Sequence, residues 1–186
     1  MKIAISAHID IARPVMSINL DDKKLSGLID NFAGVFVSYQ TSRKTKVPVY
    51  FTNYEELDYD GAQAVAKAID KDTLVIVVDT ILQKDVKNKK ASIANAYGIG
   101  YEWPALKKKF KNKIHFIDGL FEETEDETWI YGNKNKLKTF YFGVPIPGNY
   151  YHSTQLEIGL ETIDEVTQIL TEVIEWFIQN SKYKGK

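Results

Sequence analysis

The chain contains no cysteine among its 186 residues, and that absence removes several kinds of chemistry. Without thiols there is no disulfide, no thiolate metal ligand and no cysteine nucleophile. A protein without disulfides is expected inside the cell, so we predict a cytoplasmic location. Any metal site must be built from histidine and oxygen ligands.

Long apolar runs and an excess of one charge are also missing. No run approaches the ~18 apolar residues that span a bilayer, and the start, MKIAISAHID, reaches Asp10 too soon for a signal peptide. Lysine and arginine number 24 against 25 aspartates and glutamates, which gives a net charge of −1. Clusters such as KKKFKNK are expected to form a solvated face, and neither nucleic acid nor a membrane is predicted as a partner.

The sequence does contain short β-branched runs that alternate with helix-like segments. Strands are predicted for KIAISAH, VPVYFTN, TLVIVVDT, KIHFIDG and LKTFYFGVPI. Helices are predicted for YDGAQAVAKAI, WPALKKKF, ETIDEVTQILTEVIEWFIQN and the second half of SGLIDNFAGVFVSYQTS. This alternation predicts a three-layer α/β/α domain with a mostly parallel mixed sheet. The length suits a single catalytic domain over residues 1–186.

Nearly every predicted strand is followed by an acidic side chain or a histidine. Taken singly, each of these residues has an ordinary explanation, such as a helix cap or a solvated loop. Because the carboxyl ends of parallel strands meet at one edge of a sheet, together they predict a shared site there. The residues are His8, Asp10, Asp30, Glu55, Glu56, Asp79 and His152.

The residue types in this set favour a divalent metal ion. Imidazoles and carboxylates without sulfur suit zinc, manganese or cobalt. His8 and Asp10 are two positions apart, so on a strand they face the same side. Asp10 is then expected to accept a hydrogen bond from the His8 ring nitrogen that does not bind metal, which fixes the tautomer.

Five segments carry a resemblance to a known family. AHID, LIDNFAG, FTNYEELDYDGA, VVDT and PGNYYHS, in this order, resemble the co-catalytic di-zinc aminopeptidases. The strongest likeness is to the glutamyl aminopeptidase family, whose members include the tetrahedral aminopeptidases and proteins labelled endoglucanase M. The vibrio leucyl-aminopeptidase family shares the same ligand order. The resemblance runs from His8 to the terminal helix.

The resemblance implies two divalent ions, zinc in the first place with cobalt or manganese as alternatives, and a role for each residue. Asp30 would bridge the two ions, and its peptide bond to Asn31 is often cis in relatives. Glu56 and Asp79 would serve different ions, with His152 beside Asp79. Five residues would thus bind metal: His8, Asp30, Glu56, Asp79 and His152.

Catalytic and substrate roles follow from the same resemblance. Glu55 would be the general base and Asp10 would orient His8. Tyr150 and Tyr151 could line a substrate pocket. The implied activity is removal of N-terminal residues from small peptides. A related metal-dependent amide deacylase and a degenerate metal-binding relative that acts through a partner stay open as alternatives.

The chain also departs from the family in two places. Positions 9 to 29, 21 residues, separate His8 from Asp30 and leave no room for the small β-domain that the family inserts there. Asn149 stands where the family usually has an arginine. Because the inserted domain supports the large shells of relatives, a dodecamer is not expected, and a smaller homo-oligomer stays open.

Overall fold

The computed structural model describes residues 1–12, 17–100, 102–118 and 126–181, which form two sheets and a set of flanking helices. The strands are β1 (Lys2–His8), β2 (Ile18–Leu20), β3 (Lys24–Gly27), β4 (Val49–Thr52), β5 (Thr73–Leu82), β6 (Ala91–Tyr97), β7 (Ile114–Phe116), β8 (Lys138–Ile146) and β9 (Leu156–Gly159). The helices are α1 (Phe32–Thr45), α2 (Asp60–Ala68), α3 (Glu102–Phe110) and α4 (Leu160–Ser181), with a π-helix over Trp129–Lys134 and a short 3-10 turn over Gln83–Val86.

The main sheet has six strands in the order β4-β1-β5-β8-β6-β7. Strands β4, β1, β5 and β8 are mutually parallel, whereas β6 runs antiparallel to β8 and parallel to β7. The predicted mostly parallel mixed sheet is confirmed. Strand β6 was not predicted, because Ser92 and Asn95 interrupt the apolar run that indicates a buried strand.

Helices cover both faces of the main sheet, as the three-layer prediction requires. Alternate residues of β5 divide between two apolar clusters, since successive strand side chains point to opposite faces. Leu74, Ile76 and Val78 pack with residues of α1, α3 and α4. Val75 and Val77 pack with α2 and the π-helix. Among the described residues, no helix combines the length and the apolarity needed to cross a bilayer.

The two long helices bury different kinds of side chain. The apolar residues that recur at helical spacing along α4 are buried or packed against the core, and Phe177 stacks on Phe140 with 5.7 Å between ring centroids. Helix α1 packs against both β5 and α4 and buries small residues such as Ala33, Gly34 and Ser38. Its Tyr39, at helical spacing from Phe32, is 50% exposed. The buried face of α1 is therefore built mostly from small residues, with Val37 as its larger member.

A second, three-stranded antiparallel sheet, in the order β2-β3-β9, was not predicted. It begins in the short interval between His8 and Asp30 and pairs Gly27 of β3 with Leu156 of β9. Asp30 follows β3, and His152 precedes β9. This small sheet therefore draws two loops together that are far apart in sequence.

The carboxyl edge of the main sheet is uneven. Pairing of β1 with β5 stops at Ser6 and Val77, whereas pairing of β5 with β8 continues to Leu82. The prediction that Asp79 ends its strand is therefore wrong, because β8 extends the hydrogen-bond ladder past it. Asp79 lies inside β5, beyond the last residue that β1 pairs, and its side chain can meet the residues that end β1.

Candidate metal centre

Six of the seven polar residues that follow the predicted strands line one cavity of about 350 Å³. The seventh, Asp10, contacts residues that do. Glu55 and Glu56 share the loop after β4, and the others come from separate elements or loops that the uneven edge and the small sheet bring together. The six lining residues are His8, Asp30, Glu55, Glu56, Asp79 and His152.

Three of these side chains, His8, Asp30 and Asp79, form a first triad. The Nε2 atom of His8 lies 3.3 Å from Oδ1 of Asp79 and 3.9 Å from Oδ1 of Asp30. The three potential ligand atoms all lie within 4.8 Å of one another. His8 is only 3% exposed, so the surrounding protein shields this part of the triad from solvent.

A second triad consists of Asp30, Glu56 and His152. The Nε2 atom of His152 lies 3.6 Å from Oδ2 of Asp30 and 3.5 Å from Oε2 of Glu56. Asp30 thus turns one oxygen toward His8 and the other toward His152. A carboxylate with this geometry can bridge two ions.

The pairing of side chains differs from the predicted one in one respect. His152 was expected beside Asp79, but Asp79 groups with His8, and His152 groups with Glu56. Strand β5 is the neighbour of β1, so Asp79 meets His8. His152 arrives on the loop before β9 and meets the residues on the other side of Asp30.

Glu55 lies close to the first triad without belonging to it. Its Oε2 atom is 4.0 Å from Nε2 of His8. Ligand atoms of His8, Glu55 and Glu56 also lie within 4.8 Å of one another, so Glu55 is within reach of an ion held by His8. Glu55 is 9% exposed and points into the same cavity.

Asp10 holds the paired glutamates in place. Its Oδ1 atom accepts the backbone N–H of Glu55 and its Oδ2 atom that of Glu56, each at 3.2 Å. The predicted contact with His8 is present at 3.4 Å, but Nδ1 of His8 is not aligned to donate a hydrogen bond. Asp10 therefore connects the end of β1 to the loop after β4, a link that the strand period did not predict.

The start of α1 positions Asp30. The Asp30–Asn31 peptide bond is cis. Asn31 donates a hydrogen bond from Nδ2 to the carbonyl of Val78 at 2.8 Å, which ties the helix start to β5. A Cβ on Gly34 would lie 2.0 Å from Oδ1 of Asn31, so the motif needs glycine there. Thr80 donates from Oγ1 to Oδ1 of Asp30 at 2.7 Å.

Burial and mutual repulsion shift the acid strengths of the cluster. Burial and the charge of Asp79 raise the pKa of Asp30 to about 7. The same two causes raise the pKa of Glu55 to about 10, and burial raises the pKa of Glu56. Burial alone would lower the pKa of His8, but the charge of Asp79 and the contact with Asp10 raise it well above the usual value.

These side chains fit divalent cations. Buried carboxylates that face one another are stabilised by a positive partner, and no lysine or arginine lines the cavity among the described residues. Imidazole nitrogen and carboxylate oxygen are ligands that zinc accepts. Two triads that share Asp30 could hold two neighbouring ions.

The cavity also has lining residues that sequence reasoning missed. Thr80 directly follows Asp79, and that adjacency was the available signal. Asp126 follows no predicted strand, so nothing in its neighbourhood pointed to a site. Tyr151 lines the cavity, whereas Tyr150 is 52% exposed and places its hydroxyl 3.5 Å from Nδ1 of His152. The residues lining the cavity beyond the predicted set are Leu57, Tyr59, Thr80, Asp126 and Tyr141.

Comparisons with known proteins place the fold. No protein-family model and no curated protein sequence match the chain. Among solved structures it is similar to the TET1 peptidase of Pyrococcus horikoshii, with 20% identity and a TM-score of 0.60 over 85% of this chain and 52% of that one. A TET aminopeptidase from a marine-sediment archaeon of the Thaumarchaeota matches with 18% identity and a TM-score of 0.61, over 86% of this chain and 51% of that one.

An aminopeptidase of the M18 family from Thermotoga maritima is similar as well. It has 13% identity and a TM-score of 0.54, over 82% of this chain and 46% of that one. The chain therefore has the fold of the TET aminopeptidases, as the resemblance implied, and of the M18 aminopeptidases. It spans about half the length of these structures.

Proposed function

We propose that the chain is a di-zinc aminopeptidase-like hydrolase that removes N-terminal residues from small peptides. One observation carries the proposal: two triads of metal-ligand type share Asp30, with the carboxylate of Glu55 beside them. The fold, which the chain shares with TET and M18 aminopeptidases, supports the same reading.

The first ion would be held by His8, Asp30 and Asp79 and the second by Asp30, Glu56 and His152. Two divalent ions so held would polarise the scissile carbonyl and acidify a water molecule. Zinc suits the nitrogen and oxygen donors, and cobalt or manganese are alternatives.

Glu55 would act as the general base. Its carboxylate takes a proton from the attacking water and delivers it to the departing amine. Glu55 belongs to neither of the two triads that share Asp30, which favours it as the carboxylate that binds no metal. Asp10 accepts hydrogen bonds from the backbone N–H groups of both glutamates, and it would thereby fix the backbone from which Glu55 and Glu56 take up their separate roles.

The substrate would lie in the same cavity. Tyr151 lines it and could contact the peptide. Tyr150 contacts the second nitrogen of His152, so we propose that it orients this ligand and touches the substrate from the rim. Orientation of a ligating imidazole through its other nitrogen is a common feature of metal sites.

Metal analysis combined with a panel of aminoacyl-p-nitroanilides tests the proposal. About two ions per chain and turnover that a chelator abolishes are the expected result. Turnover of N-acyl amino acids without any aminopeptidase activity would replace the proposal with the related deacylase. Tightly bound metal with no turnover of either substrate class would replace it with a metal-binding role exerted through a partner.

Assembly is a separate part of the proposal. The TET1 peptidase of Pyrococcus horikoshii can assemble into a tetrahedron or a large octahedral shell. For this chain we expect at most a small homo-oligomer, because β2 and β3 occupy the interval where the family carries its inserted domain. A cytoplasmic location and a catalytic domain comprising residues 1–186 remain predictions.

A further inference from the structure

Asp126 is a buried acidic residue of the cavity that the proposed mechanism does not use. It lines the same cavity as the two triads and is only 5% exposed. It directly precedes the π-helix region and contacts Asn95 of β6. It is the one carboxylate lining the described part of the cavity that belongs neither to the triads nor to the paired glutamates.

Neutral donors hold this carboxylate in a defined orientation. Its Oδ1 atom accepts the backbone N–H of Thr128 at 2.6 Å and also the Thr128 hydroxyl. Its Oδ2 atom accepts the side-chain amide of Asn95. These bonds orient both oxygens but bring no positive charge.

The negative charge of Asp126 is therefore not neutralised by the protein. Among the described residues it makes no ion pair, and burial raises its pKa to about 7 in spite of the donated hydrogen bonds. A buried carboxylate normally has a cationic partner or binds a cation. Because Asp126 opens onto the cavity, a cation that enters with the substrate can supply that partner.

The other walls of the cavity suit the stem of a long basic side chain. Tyr59, Tyr141 and Tyr151 line it together with Leu57. Lysine and arginine bury their methylene stems along apolar and aromatic surfaces and keep the charged end for a polar partner. Aromatic faces also attract the cationic end group itself.

We propose that Asp126 is the specificity-determining residue of the cavity and selects substrates whose N-terminal residue has a basic side chain. The inference rests on the proposed aminopeptidase function and deepens it. The Asp126 carboxylate binds the ammonium of lysine or the guanidinium of arginine, while the scissile peptide bond lies at the triads.

Lysyl and norleucyl substrates provide the sharpest test, because the two side chains share four carbons and differ by the ammonium group. The wild-type chain should hydrolyse lysyl-p-nitroanilide about 10- to 100-fold more efficiently than norleucyl-p-nitroanilide, the usual contribution of a hydrogen bond to a charged group. In Asp126→Asn the ratio of the two kcat/KM values should fall to about one, with norleucyl turnover retained.

Two further variants complete the design. Asp118→Asn makes the same chemical change at an exposed aspartate whose side chain is 79% accessible and pairs with Lys107, and it should leave the ratio unchanged. Asp126→Glu keeps the charge and moves it forward by one methylene, so the preference should shift from lysyl toward the shorter ornithyl substrate. This variant carries the test if Asp126→Asn does not fold.

The outcomes that overturn the inference are distinct. No lysyl preference in the wild type overturns it, as does a preference that Asp126→Asn leaves intact. An equal loss on all substrates in Asp126→Asn also overturns it, because the carboxylate would then serve the α-ammonium or the fold.

A binding measurement separates this inference from the proposed function. Lysinamide should raise the melting temperature of the wild type more than norleucinamide does, and Asp126→Asn should lose the difference. If the chain hydrolyses nothing, the proposed function fails while this measurement still decides the role of Asp126. Equal stabilisation of the wild type by both amides overturns the inference.

Discussion

Two groups of buried and half-buried acidic side chains lie at or beside the cavity, and they are held in opposite ways. The ligand group combines the proposed metal ligands Asp30, Glu56 and Asp79 with the proposed base Glu55. These carboxylates face one another beside the imidazoles of His8 and His152. The donor-bound pair, Asp126 and Glu127, is surrounded by neutral hydrogen-bond donors. Ser6 donates to Oε2 of Glu127 at 2.6 Å, and Thr128 and Asn95 donate to Asp126.

The difference indicates what each group requires. Repelling carboxylates require positive charge, because hydrogen bonds from Thr80 to Asp30 and Asp79 alone do not offset burial. The donor-bound pair is oriented by the protein itself and depends on no ion for its geometry. Variants of the two groups should therefore differ in whether metal binding changes.

Glu55→Gln should have the largest effect. Because a general base contributes about 10²- to 10⁴-fold, kcat should fall by that amount while the metal content stays at the wild-type level. Metal analysis and single-turnover assays check both parts. Glu56→Gln is the matched control, since loss of a ligand should remove one ion. Full activity in Glu55→Gln would disprove its role as the base.

Thr80→Val should weaken metal binding without removing a ligand. Loss of the 2.7 Å hydrogen bond to Asp30 frees the bridging carboxylate, and loss of such a partner typically costs about 10- to 100-fold in metal affinity. Titration with zinc in competition with a chelator measures the change. Thr80→Ser keeps the hydroxyl and should restore the affinity. Equal affinity of both variants would show that Thr80 does not position Asp30.

The metal-free protein should become less stable as the pH rises from about 4 to about 7. The pKa values of Asp30, about 7, and Glu55, about 10, lie above the ordinary carboxyl value near 4. The folded chain then binds more protons than the unfolded chain in this range, so raising the pH favours unfolding. Thermal unfolding with chelator at several pH values measures this slope.

Zinc sharpens this pH comparison between the two groups. Bound zinc should remove the contribution of the ligand group, because it holds those carboxylates ionised. The contribution of Asp126, whose pKa is raised to about 7 mainly by burial, should remain until Asp126→Asn removes it. If the protein in the presence of chelator is more stable at pH 8 than at pH 5, the prediction that the metal-free protein loses stability with rising pH is wrong.

Ser6→Ala should have the smallest effect and should act on stability alone. It removes the donor to Glu127 and leaves a buried acceptor without that partner, which costs about 1–3 kcal/mol. Denaturant unfolding of the metal-free chain measures the cost. Although Ser6 lies two residues from the ligand His8, zinc stoichiometry should not change. Loss of an ion in this variant would mean that the two groups are not independent.

Much of the fold and the core of the candidate site followed from local patterns. Parallel strands were visible as continuous apolar runs, and the residues after them were already of metal-ligand type. Strand β6 was not predicted because Ser92 and Asn95 interrupt its apolar run, although both are buried. The small sheet was not predicted because β2, β3 and β9 are three or four residues long, too short to show a clear alternation of apolar and polar residues.

The site residues that sequence reasoning missed share a physical reason. Thr80 and Asp126 act through side chains that touch partners 31 to 50 positions away, and no local period reports such contacts. Asp10 was assigned to His8 by strand spacing, whereas its hydrogen bonds go to the backbone of Glu55 and Glu56. Spacing predicted the neighbour along the strand and missed the neighbour across the sheet.

The sequence by itself determined the residue types of the candidate site: imidazole and carboxylate groups without sulfur, in a fixed order, within or soon after apolar strands. Residue type and local period are properties of the chain, so they can be identified from the sequence alone. Only the tertiary structure decided that Asp79 joins His8, that His152 joins Glu56, and that Asp126 enters the same cavity. The grouping of Asp79 with His8 depends on which strands are neighbours and where their pairing stops, and the β2-β3-β9 sheet brings the loop of His152 to Asp30 and Glu56.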